Sequence, residues 1–281
     1  MQNVHTHVWD ANLHHTPPDP KNSHTQTLAP AESAIRYEDF IRDMAPFEHV
    51  IVFGQKARRA GWWVPDEYVA EFVSTAPDQL IGFASCDPTQ PGYLAEFMYA
   101  VETLHLRGVK LSPVSAGFDP ASPICEPVYH YCQKYGLPVI IQSGMNRYDP
   151  ASEISFGRPW LLDEIAVGYP ELKIVLTHAG NPFMDECLAV LAKNPNVYAD
   201  FSGLQSYPWQ FYQFLISAQE YQVMNKLLFG SNYPFVRSDD AINGLKNAGQ
   251  VAARSGFPQI ADEKIQAIFQ RDACALLGLY A

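Results

Sequence analysis

The sequence predicts an α/β fold: a single (β/α)₈ TIM barrel with an extra C-terminal helix. Three observations predict it. Eight short, apolar, largely β-branched runs recur along the 281 residues, and amphipathic segments of helical length separate them. That alternation marks parallel βαβ units, and eight is the strand number that closes such a barrel. No repeat, low-complexity tract or linker divides the chain, so residues 1–281 read as one domain.

Strands are expected at 3–7, 49–53, 80–84, 108–111, 138–142, 173–178, 197–201 and 226–230. The helices that follow them are expected at 37–47, 65–75, 93–103, 124–135, 159–167, 183–193, 209–222 and 241–254, with a closing helix at 262–277. Pro65 suits a first helical turn. Gly136-Leu137-Pro138, Tyr169-Pro170 and Asn194-Pro195-Asn196 announce strands five, six and seven. One segment breaks the rhythm. Residues 10–33 carry four prolines with His14, His15 and His24 directly after strand one. In a barrel that is the C-terminal face, where active-site loops lie.

Composition excludes several functions. Hydrophobic residues make up 47% and charged residues 17%, which excludes wholesale disorder. Nineteen basic against 30 acidic residues give a net charge of −11, with no Lys/Arg run. Binding nucleic acid or an anionic membrane by counterion release needs the opposite balance. No apolar run reaches the length of a membrane span. The first residues have neither a basic nor an apolar stretch, and the five cysteines form no CxxC pair. A reduced, cytoplasmic setting is the expectation. The expected partner is a small-molecule substrate, and the apolar, aromatic loops suit a homodimer.

Three constellations carry chemistry. His5-Thr6-His7 ends strand one; residues i and i+2 share a strand face, so both imidazoles aim into the barrel mouth and can share one cation. His178 ends strand six in phase with Ile174 and Leu176, where a buried polar group needs a partner. Asn232 follows strand eight in Gly230-Ser231-Asn232-Tyr233-Pro234, in phase with Leu228 and Gly230.

Together with Gly108-Val109-Lys110-Leu111-Ser112-Pro113, Arg158-Pro159, Leu162-Asp163-Glu164, Pro170-Glu171-Leu172-Lys173-Ile174-Val175, Thr177-His178-Ala179-Gly180 and Asn196-Val197-Tyr198-Ala199-Asp200, these blocks resemble the amidohydrolase superfamily, in its amidohydrolase-2 group. The resemblance spans nearly the whole chain. It implies a metal-dependent hydrolase acting on a small amide, ester or lactone through a metal-activated water. The runner-up is a metal-dependent, non-oxidative decarboxylase of an aromatic or unsaturated acid. A barrel that has lost its chemistry is the third reading.

The resemblance also implies a metal held by the HxH pair, a strand-five His and a strand-eight Asp, with the strand-six His beside it. This sequence keeps His5, His7 and His178 but has Gln142 and Asn232 at the other two positions. An amide oxygen is a poor zinc ligand and Asn is no general base. Three explanations follow: an Asp→Asn replacement made to trap a ligand, a variant site using His5, His7 and His178, or a barrel working without metal or not as an enzyme. The second is adopted. One divalent ion, zinc, is then expected on His5, His7 and His178, held weakly or not at all. His178, Asn232 and Asp200 are the catalytic candidates, Asp200 as the nearest spare carboxylate. Lys110, Gln142, Arg147 and Tyr233 are the candidate substrate contacts, Lys110 through an anion. Arg158 reads as a surface residue or a carboxylate clamp; Trp62, Trp63, Tyr207 and Trp209 read as pocket walls or packing under loops.

Overall fold

Runs buried on both faces have no reason to alternate polar and apolar residues, and the strands here are nearly continuous in Val, Ile, Leu and Phe. In the computed structural model, which describes residues 1–16, 33–145, 152–251 and 256–280, they form eight strands. These are β1 Gln2–His7, β2 His49–Phe53, β3 Leu80–Cys86, β4 Val109–Leu111, β5 Val139–Ile141, β6 Ile174–Leu176, β7 Val197–Asp200 and β8 Leu227–Leu228. All neighbouring pairs are parallel and follow chain order. The segment after β8 closes the ring onto β1. Val4 N–H donates to the Phe229 carbonyl at 2.9 Å, Asn232 N–H to the His5 carbonyl at 3.0 Å, and His7 N–H to the Tyr233 carbonyl at 2.9 Å. The TIM barrel is therefore the observed architecture.

Outside the strands lie α1 Tyr37–Met44, α2 Asp66–Ser74, α3 Tyr93–Glu102, α4 Glu126–Tyr135, α5 Leu161–Gly168, α6 Met184–Lys193, α7 Pro208–Glu220 and α8 Ser238–Asn247. Each buries a stripe against the sheet; α4, for example, turns Val128, Tyr129 and Cys132 inward. A second core fills the barrel itself: Val4, Ile51, Phe53, Phe83, Ile140, Val175, Tyr198 and Leu228. Ala273, Cys274, Leu277 and Leu279 plug its lower end. Gln2, at the start of β1, accepts from Cys274 N–H at 2.8 Å there. The lower end is thus sealed, and the C-terminal strand ends are the open end.

Four expectations are corrected. The closing helix is two helices, α9 Asp262–Phe269, which ends with its C-cap at Gln270, and α10 Ala273–Leu277, which Asp272 caps by accepting from Ala275 N–H at 2.9 Å. The helix after β8 starts at Ser238 and ends at Asn247. β6 and β8 stop at Leu176 and Leu228, short of the residues of chemical interest. A short hairpin, Lys56–Ala57 against Trp62–Trp63, stands between β2 and α2. Most of the 10–33 segment, including His24, lies outside the described residues; before it, Ala11–His14 makes one helical turn capped by Asp10.

Candidate active site

A slip in β1 builds the first wall. Pairing with β2 shifts between Asn3 and Thr6, and an irregularity of this kind re-aims side chains. Val4 therefore joins the barrel interior while His5, its neighbour, also faces inward. Thr6 points out, donating to the Ile51 carbonyl at 2.7 Å, and His7 points in again. Gly230 makes room for this: a Cβ there would stand 2.8 Å from His5 Cβ.

Phe53, at the end of β2, is the floor. Its ring centroid lies 5.0 Å from that of His5 and 4.8 Å from that of His7, and Lys110 Nζ sits 4.9 Å from it. The imidazoles face each other, His5 Nε2 to His7 Nε2 at 3.1 Å. Burial, opposed by Asp200, pulls His5 down to about 3. Burial and the neighbouring His5 hold His7 well below its ordinary value. Both rings are neutral near pH 7.

His178 arrives by a different route from the one its sequence phase suggests. It lies beyond β6 in left-handed backbone, φ 57°, followed by Ala179 at φ 52°. Two such non-glycine residues cost roughly 1–2 kcal/mol each. The conformation is held by His178 N–H donating to Asp200 Oδ1 at 3.0 Å. The His178 ring centroid comes to 4.9 Å from that of His5. Burial lowers its pKa as well.

Asp200, the last residue of β7, is fully buried and does not line the cavity. Oδ2 lies 2.9 Å from His5 Nδ1. Burial opposes its charge, but His5 and the other donors outweigh that and hold it below the usual carboxylate range. It therefore stands behind His5 and away from the cavity lining.

Lys110, at the end region of β4, is 4% exposed and has no hydrogen-bond or carboxylate partner among the described residues. Burial, only partly offset by Asp200, pulls its ammonium down to about 7. It lines a cavity of about 240 Å³ together with His5, His7, His178, Ser112, Gln142, Ser202, Asn232, Tyr207 and Phe235. The structure therefore brings five sequence candidates to the same cavity as His5 and His7.

An amidohydrolase family model matches residues 3–279. The chain belongs to the amidohydrolase family. No curated protein matches it. Its fold is shared with an uncharacterised TIM-barrel protein from Bordetella bronchiseptica, 19% identical over 99% of this chain and 100% of that one, TM-score 0.70. A probable 2-pyrone-4,6-dicarboxylic acid hydrolase from Acinetobacter baumannii, with citric acid bound, is 17% identical over 99% and 98%, TM-score 0.71. A dihydroxybenzoic acid decarboxylase from a Polaromonas species, with bound manganese and 2-nitroresorcinol, is 16% identical over 100% and 97%, TM-score 0.67.

The donor set of this amidohydrolase fits a divalent ion in part. Nitrogens bound to one tetrahedral zinc at about 2.0–2.1 Å stand roughly 3.3 Å apart, close to the 3.1 Å between His5 Nε2 and His7 Nε2. The two amides add little. Gln142 is engaged by Ser115, whose N–H donates to Oε1 at 3.2 Å and whose Oγ accepts from Nε2 at 3.2 Å. Asn232 lines the cavity in left-handed backbone, φ 70°, which Asn tolerates better than most residues.

Other candidates fall elsewhere. Tyr233 is fully buried against Phe40, ring centroids 5.3 Å apart, and does not line the cavity. Arg147 lies outside the described residues. Arg158 pairs with Glu186 at the surface. Trp62 packs on Trp9 and His15, Trp63 under Arg58, and Trp209 beside Phe257; only Tyr207 of that aromatic group lines the cavity. Phe53 and Ser202 were missed. The signal for Ser202 was available: Asp200-Phe201-Ser202 repeats the i, i+2 spacing of His5 and His7.

Proposed function

We propose that this amidohydrolase hydrolyses a small ester, lactone or amide that carries an anionic group. The observation that carries the reading is one cavity that gathers three neutral imidazoles and an ammonium with no carboxylate partner among the described residues, with His5, His7 and Lys110 packed on the Phe53 ring and His178 on His5. Lys110 pairs with the substrate anion, because a buried ammonium without a carboxylate partner gains most from one. Phe235 and Tyr207 enclose the apolar part of the molecule. His178 orients the attacking water or donates to the developing oxyanion. Asp200 holds His5 in one orientation. A divalent ion, zinc in this reading, would be held by His5, His7 and His178, and supplies polarisation of the carbonyl and a more acidic water.

The test is turnover of a panel of anionic esters, lactones and amides by the purified protein, with and without added zinc, followed by acid release. Aromatic and unsaturated acids belong in the same panel, with carbon dioxide measured. Cleavage of an ester, lactone or amide supports the proposal. Carbon dioxide release with no cleavage replaces it by the decarboxylase reading, and inactivity throughout by a binding role.

A further inference from the structure

Side chains alternate along β4 and the residue after it. Val109 and Leu111 turn outward into the core beneath the helices, while Lys110 and Ser112 turn inward and line the cavity. Lys110 is 4% and Ser112 3% exposed. Neither side chain has a hydrogen-bond partner among the described residues. Polar groups buried this deeply are normally paired, so two adjacent ones facing the same space call for a ligand.

The freedom of Ser112 has a structural cause. It is the N-cap of the helical turn Pro113–Ala116, where a serine oxygen normally accepts an N–H two or three residues on. Ser112 makes no such bond. The N–H it would accept, that of Ser115, donates to Gln142 Oε1 at 3.2 Å, and Gln142 Nε2 donates to Ser115 Oγ at 3.2 Å. Pairing of β5 with β4 brings Gln142 there, its own N–H donating to the Leu111 carbonyl at 2.9 Å. Gln142 thus caps the turn from the neighbouring strand, and the Ser112 hydroxyl is left to the cavity.

A single ammonium beside a single hydroxyl offers one full charge and one further donor. Among the described residues the cavity lining holds no arginine and no second lysine. That set matches an anion with one charge on two oxygens; a phosphate dianion would leave both charge and oxygens unmatched. We propose that Lys110 and Ser112 form a two-point subsite for a carboxylate of the substrate, one oxygen on Lys110 Nζ and the other accepting from Ser112 Oγ. The subsite deepens the hydrolase reading and rests on its anionic substrate.

The probe is 4-fluorobenzoate, with 4-fluorobenzamide as its neutral counterpart. Both are titrated against the full-length protein by fluorine NMR at about pH 6.5, with a chelator present so that zinc is no alternative partner for the carboxylate. The wild type is expected to bind the acid at least about 10-fold more tightly than the amide. Ser112→Ala should weaken the acid about 10-fold, since a hydrogen bond to a charged group is lost, and Lys110→Met about 10–100-fold. Neither should change the amide by more than about 2-fold, and Ser112→Thr, which keeps the hydroxyl, should stay within about 3-fold of the wild type for the acid. An unchanged Kd for the acid in Ser112→Ala overturns the proposal. So does an equal loss of both probes in that variant, which would assign residue 112 to packing, or a loss in Ser112→Thr as large as in Ser112→Ala. A wild type that binds neither probe, or both equally, overturns it without any variant having to fold. Binding needs no turnover. A protein that holds 4-fluorobenzoate through both residues yet cleaves nothing keeps the subsite and loses the hydrolase reading; one that cleaves anionic esters with Ser112→Ala unaffected loses the subsite alone.

Discussion

His5 Nε2 lies 3.1 Å from His7 Nε2, a gap that holds one proton or one cation but not two N–H groups. Asp200 takes the Nδ1 hydrogen of His5, so without metal the shared proton belongs to His7 Nε2. His7 Nδ1 is then a bare lone pair, buried and without a hydrogen-bond partner among the described residues. To ligate through Nε2, His7 must move its hydrogen to Nδ1, where no acceptor waits among the described residues.

Zinc is therefore expected to bind weakly, and His7 to be the weakest of its three ligands. His5→Ala should lower zinc affinity by at least about 100-fold and His7→Ala by about 10-fold, both relative to the wild type. Competition against a chromophoric chelator measures both. Equal losses would mean that the orphaned nitrogen has no bearing on ligation.

Asp200→Asn keeps the shape but replaces an acceptor by an amide that can donate to His5 Nδ1. The His5 tautomer then has reason to reverse, putting a hydrogen where a lone pair is needed. kcat/KM for the substrate should fall on the order of 10²–10⁴-fold, and stability by about 1–3 kcal/mol. Steady-state kinetics and urea unfolding separate the two effects.

Much of this was legible in the sequence, and what was not has identifiable causes. The β-strand alternation of His5 and His7, the helix patterns and the tight exit after Gly230 come from side-chain periodicity and turn chemistry, which are local. The slip between Asn3 and Thr6 is not local: it depends on how β1 pairs with β2. His178 reaches the cavity through two left-handed residues that no propensity favours, held by an Asp200 bond across 22 residues of chain. Tyr233 was misplaced because β8 ends at Leu228, so strand phase does not extend to it. The helix expected at 262–277 ends at Phe269 and restarts at Ala273, where the Asp272 side chain caps the new helix.

Acid should weaken the fold earlier than carboxylate titration alone predicts. His5, His7 and His178 all have pKa values lowered by burial, His5 to about 3. The unfolded chain takes up protons at these residues below about pH 6.5 while the folded one does not. Each group that stays neutral thus removes roughly 1.4 kcal/mol of stability per pH unit as pH falls below 6.5. Urea midpoints between pH 7.5 and 5 check this; a flat profile would contradict neutral, buried imidazoles.

Lys110 carries the anion preference. Lys110→Met should raise KM for an anionic substrate about 10–100-fold and leave a neutral analogue nearly unaffected. With the ammonium at about 7, the charged form prevails below that pH, so KM for the anion should rise as pH increases through 7. Kinetics on a matched anionic and neutral pair, from pH 6 to 8.5, reads both effects.

Asn232 and Gln142 occupy the two positions where the resemblance implies a carboxylate and an imidazole. Asn232→Asp should raise zinc affinity or turnover, since general-base assistance is worth typically 10²–10⁴-fold. Gln142→His alone should do less, because Ser115 holds residue 142 aside. The double variant should exceed both. Bound zinc and ester cleavage across the four proteins test this; no gain in any variant would place the chemistry on other residues.

The central claim is that water is added across an acyl bond in this cavity. Its most direct test is turnover of the best substrate from the panel in ¹⁸O-water, with mass spectrometry of the acid formed. The account predicts one ¹⁸O per product carboxylate in the wild type and at least a 100-fold lower rate in His178→Ala. Product without ¹⁸O, with carbon dioxide released instead, or an unchanged rate in His178→Ala, would contradict it.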